Sequence, residues 1–153
     1  MTEKFSRPPR LPNFDYTQPG AYFITINTAN KVNIFGIQAD NSVTLNQLGL
    51  IASSCLQEIP NHFSHTELDE FIIMPNHVHG IIWIVSPETI KCGDTACCVS
   101  TEYPSGNLEE FGKPVKGSIP TIIRSFKSAV TKLIHKENPN LKIWQSNYYE
   151  HVI

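Results

Sequence analysis

His77 and His79 stand two residues apart in Met74-Pro75-Asn76-His77-Val78-His79-Gly80, at the head of a run rich in Ile, Val and Trp. In a β-strand, alternate side chains share a face with Cα atoms roughly 6.5 Å apart, so both imidazoles can converge on one cation. Val78 then faces the other way. Imidazole nitrogens bind borderline divalent ions at about 2 Å, and two protein ligands leave coordination positions for carboxylate, water or phosphate. An open site of that kind suits Lewis-acid catalysis. The competing reading is a pair of half-buried strand residues hydrogen-bonded to their neighbours. Against it stand the Pro-Asn turn before the pair and Gly80 after it, where a backbone or a ligand can approach closely.

Two other sets of residues bear on chemistry. Arg124 and Lys127, with Thr131 one turn on and Lys132 beside it, form a row on a predicted helix that can meet phosphate oxygens. The plain alternative is a solvated helix face. Tyr148 and Tyr149 are adjacent phenols, and a phenol of pKa near 10 is a poor nucleophile at neutral pH unless its electrophile is activated. Aromatic packing with one hydroxyl satisfied is the commoner role of such a pair. Phe14 and Tyr16, behind a basic arm with Lys4, Arg7 and Arg10, offer either stacking surfaces for bases or a strap over the core.

The elements that must carry these residues follow from periodicity. Ala21 to Thr28 reads as a central strand, with Tyr22, Ile24 and Ile26 on one face and Phe23 and Thr25 on the other. Asn33–Ile37 and Ser42–Leu45 read as a small hairpin around Asp40-Asn41. Leu48, Ile51, Ala52, Cys55, Leu56 and Ile59 recur at helical spacing behind Asn46 as N-cap, with Pro60 as the stop. Leu68–Met74 and Val78–Val85 read as two strands joined by Pro75-Asn76. Residues 119–135 read as a helix with Ile119, Ile122, Ile123, Phe126, Val130, Leu133 and Ile134 inward and Pro120 in the first turn. An aromatic segment, Ile143-Trp144-Gln145 and Tyr148 to His151, follows.

The whole reads as one domain over residues 1–153, with an extended arm over 1–20 and a long Gly- and Pro-punctuated insertion over 86–118. Apolar residues make up 41% and charged residues 17%, a composition that folds. The formal net charge of -2 argues against coating duplex nucleic acid by bulk charge. The distribution differs from the total: Lys113, Lys116, Arg124, Lys127, Lys132, Lys136 and Lys142 face only Glu137, while acids gather between Glu58 and Glu110. No stretch is long enough for a membrane span, no signal peptide is visible, and Cys55, Cys92, Cys97 and Cys98 form no disulfide framework or common zinc knuckle. A reducing cytoplasm is the expected compartment. A phosphate-binding glycine loop is absent too, so nucleotide hydrolysis is unsupported.

Four ordered motifs resemble a known family. They are Gly20-Ala21-Tyr22-Phe23-Ile24-Thr25-Ile26 with Ile34-Phe35-Gly36; Leu68 through Ile82 with its paired histidines; Ser125 through Lys132; and Trp144 through His151. Together they resemble the tyrosine transposases with a His-hydrophobe-His motif, and within them the REP-associated, insertion-sequence-like group. The resemblance implies an α+β, ferredoxin-like antiparallel sheet with helices packed on it. It implies that His77 and His79 hold magnesium or manganese against the scissile phosphate of hairpin-bearing single-stranded DNA, with Arg124, Lys127 and Lys132 on the DNA, and it leaves room for a homodimer. A tyrosine hydroxyl would attack phosphorus to give a 5′-phosphotyrosine and a free 3′-OH, keeping the bond energy for rejoining. In that group the nucleophile follows the Trp-Gln…Tyr-Tyr-Glu-His segment on a further helix, and this sequence stops at Ile153. The resemblance therefore casts neither Tyr148 nor Tyr149 as the nucleophile. A non-catalytic hairpin-binding remnant is the second expectation, and a small metal-dependent hydrolase the third.

Overall fold

In the computed structural model, which describes residues 14–86 and 115–153, the central strand is β1, Gly20–Asn27. It pairs antiparallel with β5, His77–Ile84, on one side and with β6, Tyr149–Val152, on the other. The strand β4, Thr66–Met74, flanks β5, so the sheet order is β4-β5-β1-β6. Alternation decides the two faces. Tyr22, Ile24 and Ile26 of β1 and Val78, Ile82 and Ile84 of β5 are buried on one face, whereas Phe23 and Trp83 are exposed on the other. The β4–β5 ladder shifts register between Leu68 and Phe71, so Asp69 and Glu70 together oppose Ile81 and form a bulge.

Three helices cover the buried face. Asn46 caps α1, Gln47–Gln57, by accepting from the Gly49 N–H at 3.0 Å, and Ala52 and Leu56 enter the core. Pro60 does not end this helix. The helix stops at Gln57, and Pro60 sits in the first turn of α2, Ile59–His62, where its missing N–H costs nothing. The long helix α3, Ile119–Ile134, buries Ile119, Ile122, Ile123, Phe126, Val130 and Ile134 in the same cluster as the sheet residues. Leu133, placed inward by spacing alone, is exposed. The fold is α+β, a four-stranded antiparallel sheet with helices on one side, as expected.

Two segments depart from the sequence reading. The small hairpin pairs β2, Gly36–Ala39, with β3, Ser42–Leu45, around Asp40 and Asn41, both at positive φ. Its first strand starts later than Asn33 because Phe35 is buried and donates its N–H to the Pro75 carbonyl at 3.0 Å, fixing the chain before the ladder begins. The aromatic tail, given no strand by its pattern, is a sheet edge. Tyr149 and His151 there point outward, while Glu150 and Val152 turn towards the helices. No helix among the described residues is long and apolar enough to cross a membrane. Residues 1–13 of the arm and 87–114 of the insertion, with Cys92, Cys97 and Cys98, lie outside the described residues.

Candidate functional site

The histidine pair sits on the sheet face opposite the helices, which no helix of the described residues covers. His77 opposes Asn27 and Met74, and His79 opposes Thr25 and Ile72, so these side chains share one surface. The two imidazole centroids are 4.5 Å apart with planes at 76°. Each ring is tethered through Nδ1. His77 Nδ1–H donates to Asn76 Oδ1 at 2.6 Å, and His79 Nδ1 shares a hydrogen bond of 2.9 Å with Thr25 Oγ1. The Asn76 bond places the His77 proton on Nδ1 and leaves its Nε2 with the lone pair, and the Thr25 bond holds the His79 ring in place, as in established metal sites where a polar partner orients the ligand. Phe23 stacks on His79 at 5.3 Å and 24°, holding its plane.

The turn below the pair is anchored from three sides. The buried Thr28 donates its N–H to the Asn76 carbonyl at 3.0 Å, and its hydroxyl lies 2.9 Å from that carbonyl and 2.8 Å from Val32 O. The Asn76 side-chain amide reaches Lys31 O at 3.4 Å while its oxygen receives His77. Phe35 N–H binds Pro75 O. Both carbonyls and the side-chain amide of Pro75-Asn76 are thus held by the segment that follows β1, which fixes the turn from which His77 springs. Burial, then the neighbouring His79, then the Lys31 ammonium push the His77 pKa below its ordinary value. His77 is accordingly neutral at pH 7, the state that ligates a metal.

A divalent cation fits this arrangement as an open, two-ligand site. Among the described residues no group of three or more His, Cys, Asp or Glu gathers to hold a metal. The adjacent rings, each tethered at Nδ1 and half-buried, are the features that bear on such a site.

The cationic row lies in the other layer. Arg124 and Lys132 are exposed on α3, and with Thr121, Ser125, Ser128 and Ala129 they line an open groove of about 520 Å³. Since α3 packs on the buried face of the sheet, this groove and the histidines are on opposite sides of the sheet. Lys127 is half-buried and does not share the groove. Its ammonium donates to Gln145 O at 2.9 Å and Asn147 O at 3.3 Å and lies 5.9 Å from the centre of the Tyr148 ring. Burial pushes its pKa down to about 8. Thr131, expected in the same row, donates its hydroxyl to Lys127 O at 2.7 Å. Trp144 Nε1–H donates to the same carbonyl at 3.1 Å, so this turn of α3 fastens the chain that enters β6.

Of the residues singled out by sequence, His77 and His79 come together, Arg124 and Lys132 share a separate groove, and Lys127 fastens a loop. Thr25, Thr28, Lys31 and Asn76 complete the histidine site. Thr25 had the right parity in its strand, but its contact with His79 depends on cross-strand register. Tyr16, Tyr22 and Tyr148 are buried, whereas Tyr149 is exposed on the histidine face, across β1 from His79. Phe14 and Tyr16 pack edge-on at 4.9 Å, and Tyr16 belongs to the core.

No family model matches the chain. An uncharacterized protein of Haemophilus influenzae strain KW20 Rd is 37% identical over 159 residues, an alignment that takes in 100% of this chain and 84% of that protein. Among solved structures, a REP-associated tyrosine transposase bound to a REP hairpin shares a TM-score of 0.53 at 15% identity, over 97% of this chain and 62% of that one. This chain thus spans about three-fifths of that transposase. A protein of Deinococcus radiodurans R1 designated a candidate transposase gives a TM-score of 0.54 at 14% identity, over 97% of this chain and 86% of that one. At these identities the likeness is one of fold. The chain belongs to the family of the Haemophilus influenzae protein, and it has a transposase-like fold.

Proposed function

We propose that the chain is a DNA-binding domain of the His-hydrophobe-His tyrosine transposase class, recognising hairpin-bearing single-stranded DNA and taking part in metal-assisted nicking and joining. The observation that carries this reading is the pair of adjacent imidazoles on the sheet face opposite the described helices, each tethered through Nδ1. His77 and His79 would hold magnesium or manganese, which supplies Lewis-acid polarisation of a phosphate when bound. Asn76 and Thr25 keep the rings in place, and the neutral state of His77 avoids a proton competing for the site. Arg124 and Lys132 meet phosphates on the far side, a role open to any backbone that wraps the domain edge. The transposase-like fold supports the reading, as does the REP hairpin bound to one structural neighbour.

Strand cleavage in this class needs a tyrosine hydroxyl. Tyr16, Tyr22 and Tyr148 are buried, and Tyr149 is separated from His79 by the width of β1. The described tyrosines therefore favour a second reading beside the first: hairpin binding without chemistry, unless a tyrosine outside the described residues is brought to the histidines. Metal dependence separates the two. A labelled hairpin oligonucleotide is titrated with the chain, with and without Mn²⁺, and the mixture is run on a denaturing gel. Salt-sensitive binding that Mn²⁺ strengthens, and that His77→Ala with His79→Ala returns to the metal-free level, supports the metal-assisted reading. Binding indifferent to both the metal and the histidines leaves the remnant. A covalent protein–DNA band lost in Tyr149→Phe would make Tyr149 the nucleophile and overturn the assignment of its role.

A further inference from the structure

Several of the exposed large apolar side chains lie on the sheet face that carries the histidines: Phe23 at 37% exposure, Tyr149 at 40%, Trp83 at 42% and Ile72 at 49%. The face has an internal polarity. At one corner Glu67 opposes Trp83, the bulge presents Asp69 and Glu70, and Trp83 Nε1–H donates to Asp69 Oδ2 at 3.1 Å. On the β1–β6 half the outward side chains include Phe23, Thr25, Tyr149 and His151, none of them a carboxylate, and the Lys31 backbone is tied to Asn76 beside His77 at 3.4 Å. Register makes this half continuous. Thr25 stands between His79 and Tyr149, Phe23 opposes His151, and the Phe23 ring is stacked on His79.

We infer that Phe23 and Tyr149 form a stacking platform for unpaired bases of a nucleic-acid strand that leaves the histidine pair along β1 and β6. This rests on the reading of the histidine face as a DNA site and adds the subsite beside it. A polyanion is repelled from the Glu67, Asp69 and Glu70 corner and admitted on the half without carboxylates. Flat rings with edges free for hydrogen bonds suit a surface where aromatic rings alternate with Thr25, Asn27 and the imidazoles. A wholly apolar protein partner would bury those polar groups without bonds of its own. The platform is indifferent to base identity because each base has a π-face.

The test uses the full chain and two labelled oligonucleotides, a hairpin with a single-stranded flank and the same hairpin without it, at constant Mn²⁺ and salt. Phe23→Leu and Tyr149→Leu keep apolar bulk and remove the ring, and both sites are exposed enough to spare the core. Each is expected to weaken binding of the flanked hairpin about tenfold; Tyr149→Leu leaves the flankless hairpin unchanged, and Phe23→Leu, which also releases the His79 ring, costs the flankless hairpin less than the flanked one. Tyr149→Phe retains wild-type affinity, Trp83→Leu changes it less than about twofold, and abasic flank nucleotides cost the wild type what the leucines cost. Wild-type affinity in the Phe23→Leu/Tyr149→Leu double variant overturns the platform while sparing the histidine reading. An equal loss in Trp83→Leu overturns the proposed path. Conversion of a dimer to a monomer by the leucine substitutions, read by sedimentation, assigns the face to a second copy instead. Failure of the wild type to bind either hairpin removes the parent reading and the platform with it.

Discussion

The open face of the sheet and the outer face of α3 are both candidates for meeting nucleic acid, yet they are built differently. On the sheet, side chains are pinned: His77 by Asn76, His79 by Thr25 and Phe23, and the turn beneath them by Thr28 and Phe35. On α3, Arg124 and Lys132 lie exposed on the groove among short hydroxyl side chains. Pinned groups can define a geometry and therefore a chemistry. Solvated cations supply attraction that salt screens and sequence does not tune. Under the proposed function the sheet would supply orientation and the helix affinity, and each half can be broken alone.

The largest effect is expected from the pinned side. His77→Ala with His79→Ala should abolish Mn²⁺ binding in calorimetry, while the circular dichroism spectrum stays that of the wild type. Thr25→Val removes only the partner of His79 and should weaken Mn²⁺ binding by roughly 10- to 100-fold. Retained affinity would show that the bond does not orient the ring. Thr28→Val deletes a buried hydroxyl that faces two carbonyls, and it should cost about 1–3 kcal/mol in urea denaturation. It should loosen the metal site as well, because the Asn76 turn loses its anchor. On the solvated side, Arg124→Ala with Lys132→Ala should lower hairpin affinity and flatten its dependence on log salt by about two contacts' worth, leaving thermal stability and Mn²⁺ binding unchanged.

The smallest effect concerns Lys127, which belongs to neither surface. Its pKa of about 8 in the fold lies below the ordinary lysine value near 10.4, so the folded state binds its proton less tightly than the unfolded chain does. The resulting cost is present in full below pH 8 and is relieved as pH climbs towards 10.4, so stability should rise across that window. Urea midpoints for the wild type and Lys127→Met, measured from pH 7 to 10, check the sign. The variant should lack the rise.

The two regions also differ in how far they could be read from sequence. The histidine pair was legible because a period of two, a Pro-Asn turn and a glycine are local signals, and the strands, the Asn46 cap and α3 followed from equally local periodicity. The Pro60 break was misplaced because proline is as much at home in a helix's first turn as beyond its end. The edge strand β6 was missed since four residues carry too little pattern, and only pairing with β1 makes them a strand. Lys127 illustrates the limit on helix faces. Spacing set it beside Arg124, but the carbonyls of Gln145 and Asn147, remote in sequence, decide where its ammonium goes. Thr25 and Thr28 act through partners some fifty residues away, information that no window along the chain contains.

The claim on which the functional reading rests is that two imidazoles of one strand share a cation. Electron spin echo spectroscopy of Mn²⁺ added to the full chain reports it directly, through modulation from directly bound ¹⁴N. Coupling to two imidazole nitrogens, reduced to one in either single alanine variant and absent in the double, is the expected result. A spectrum indistinguishable from that of hydrated Mn²⁺ would contradict it.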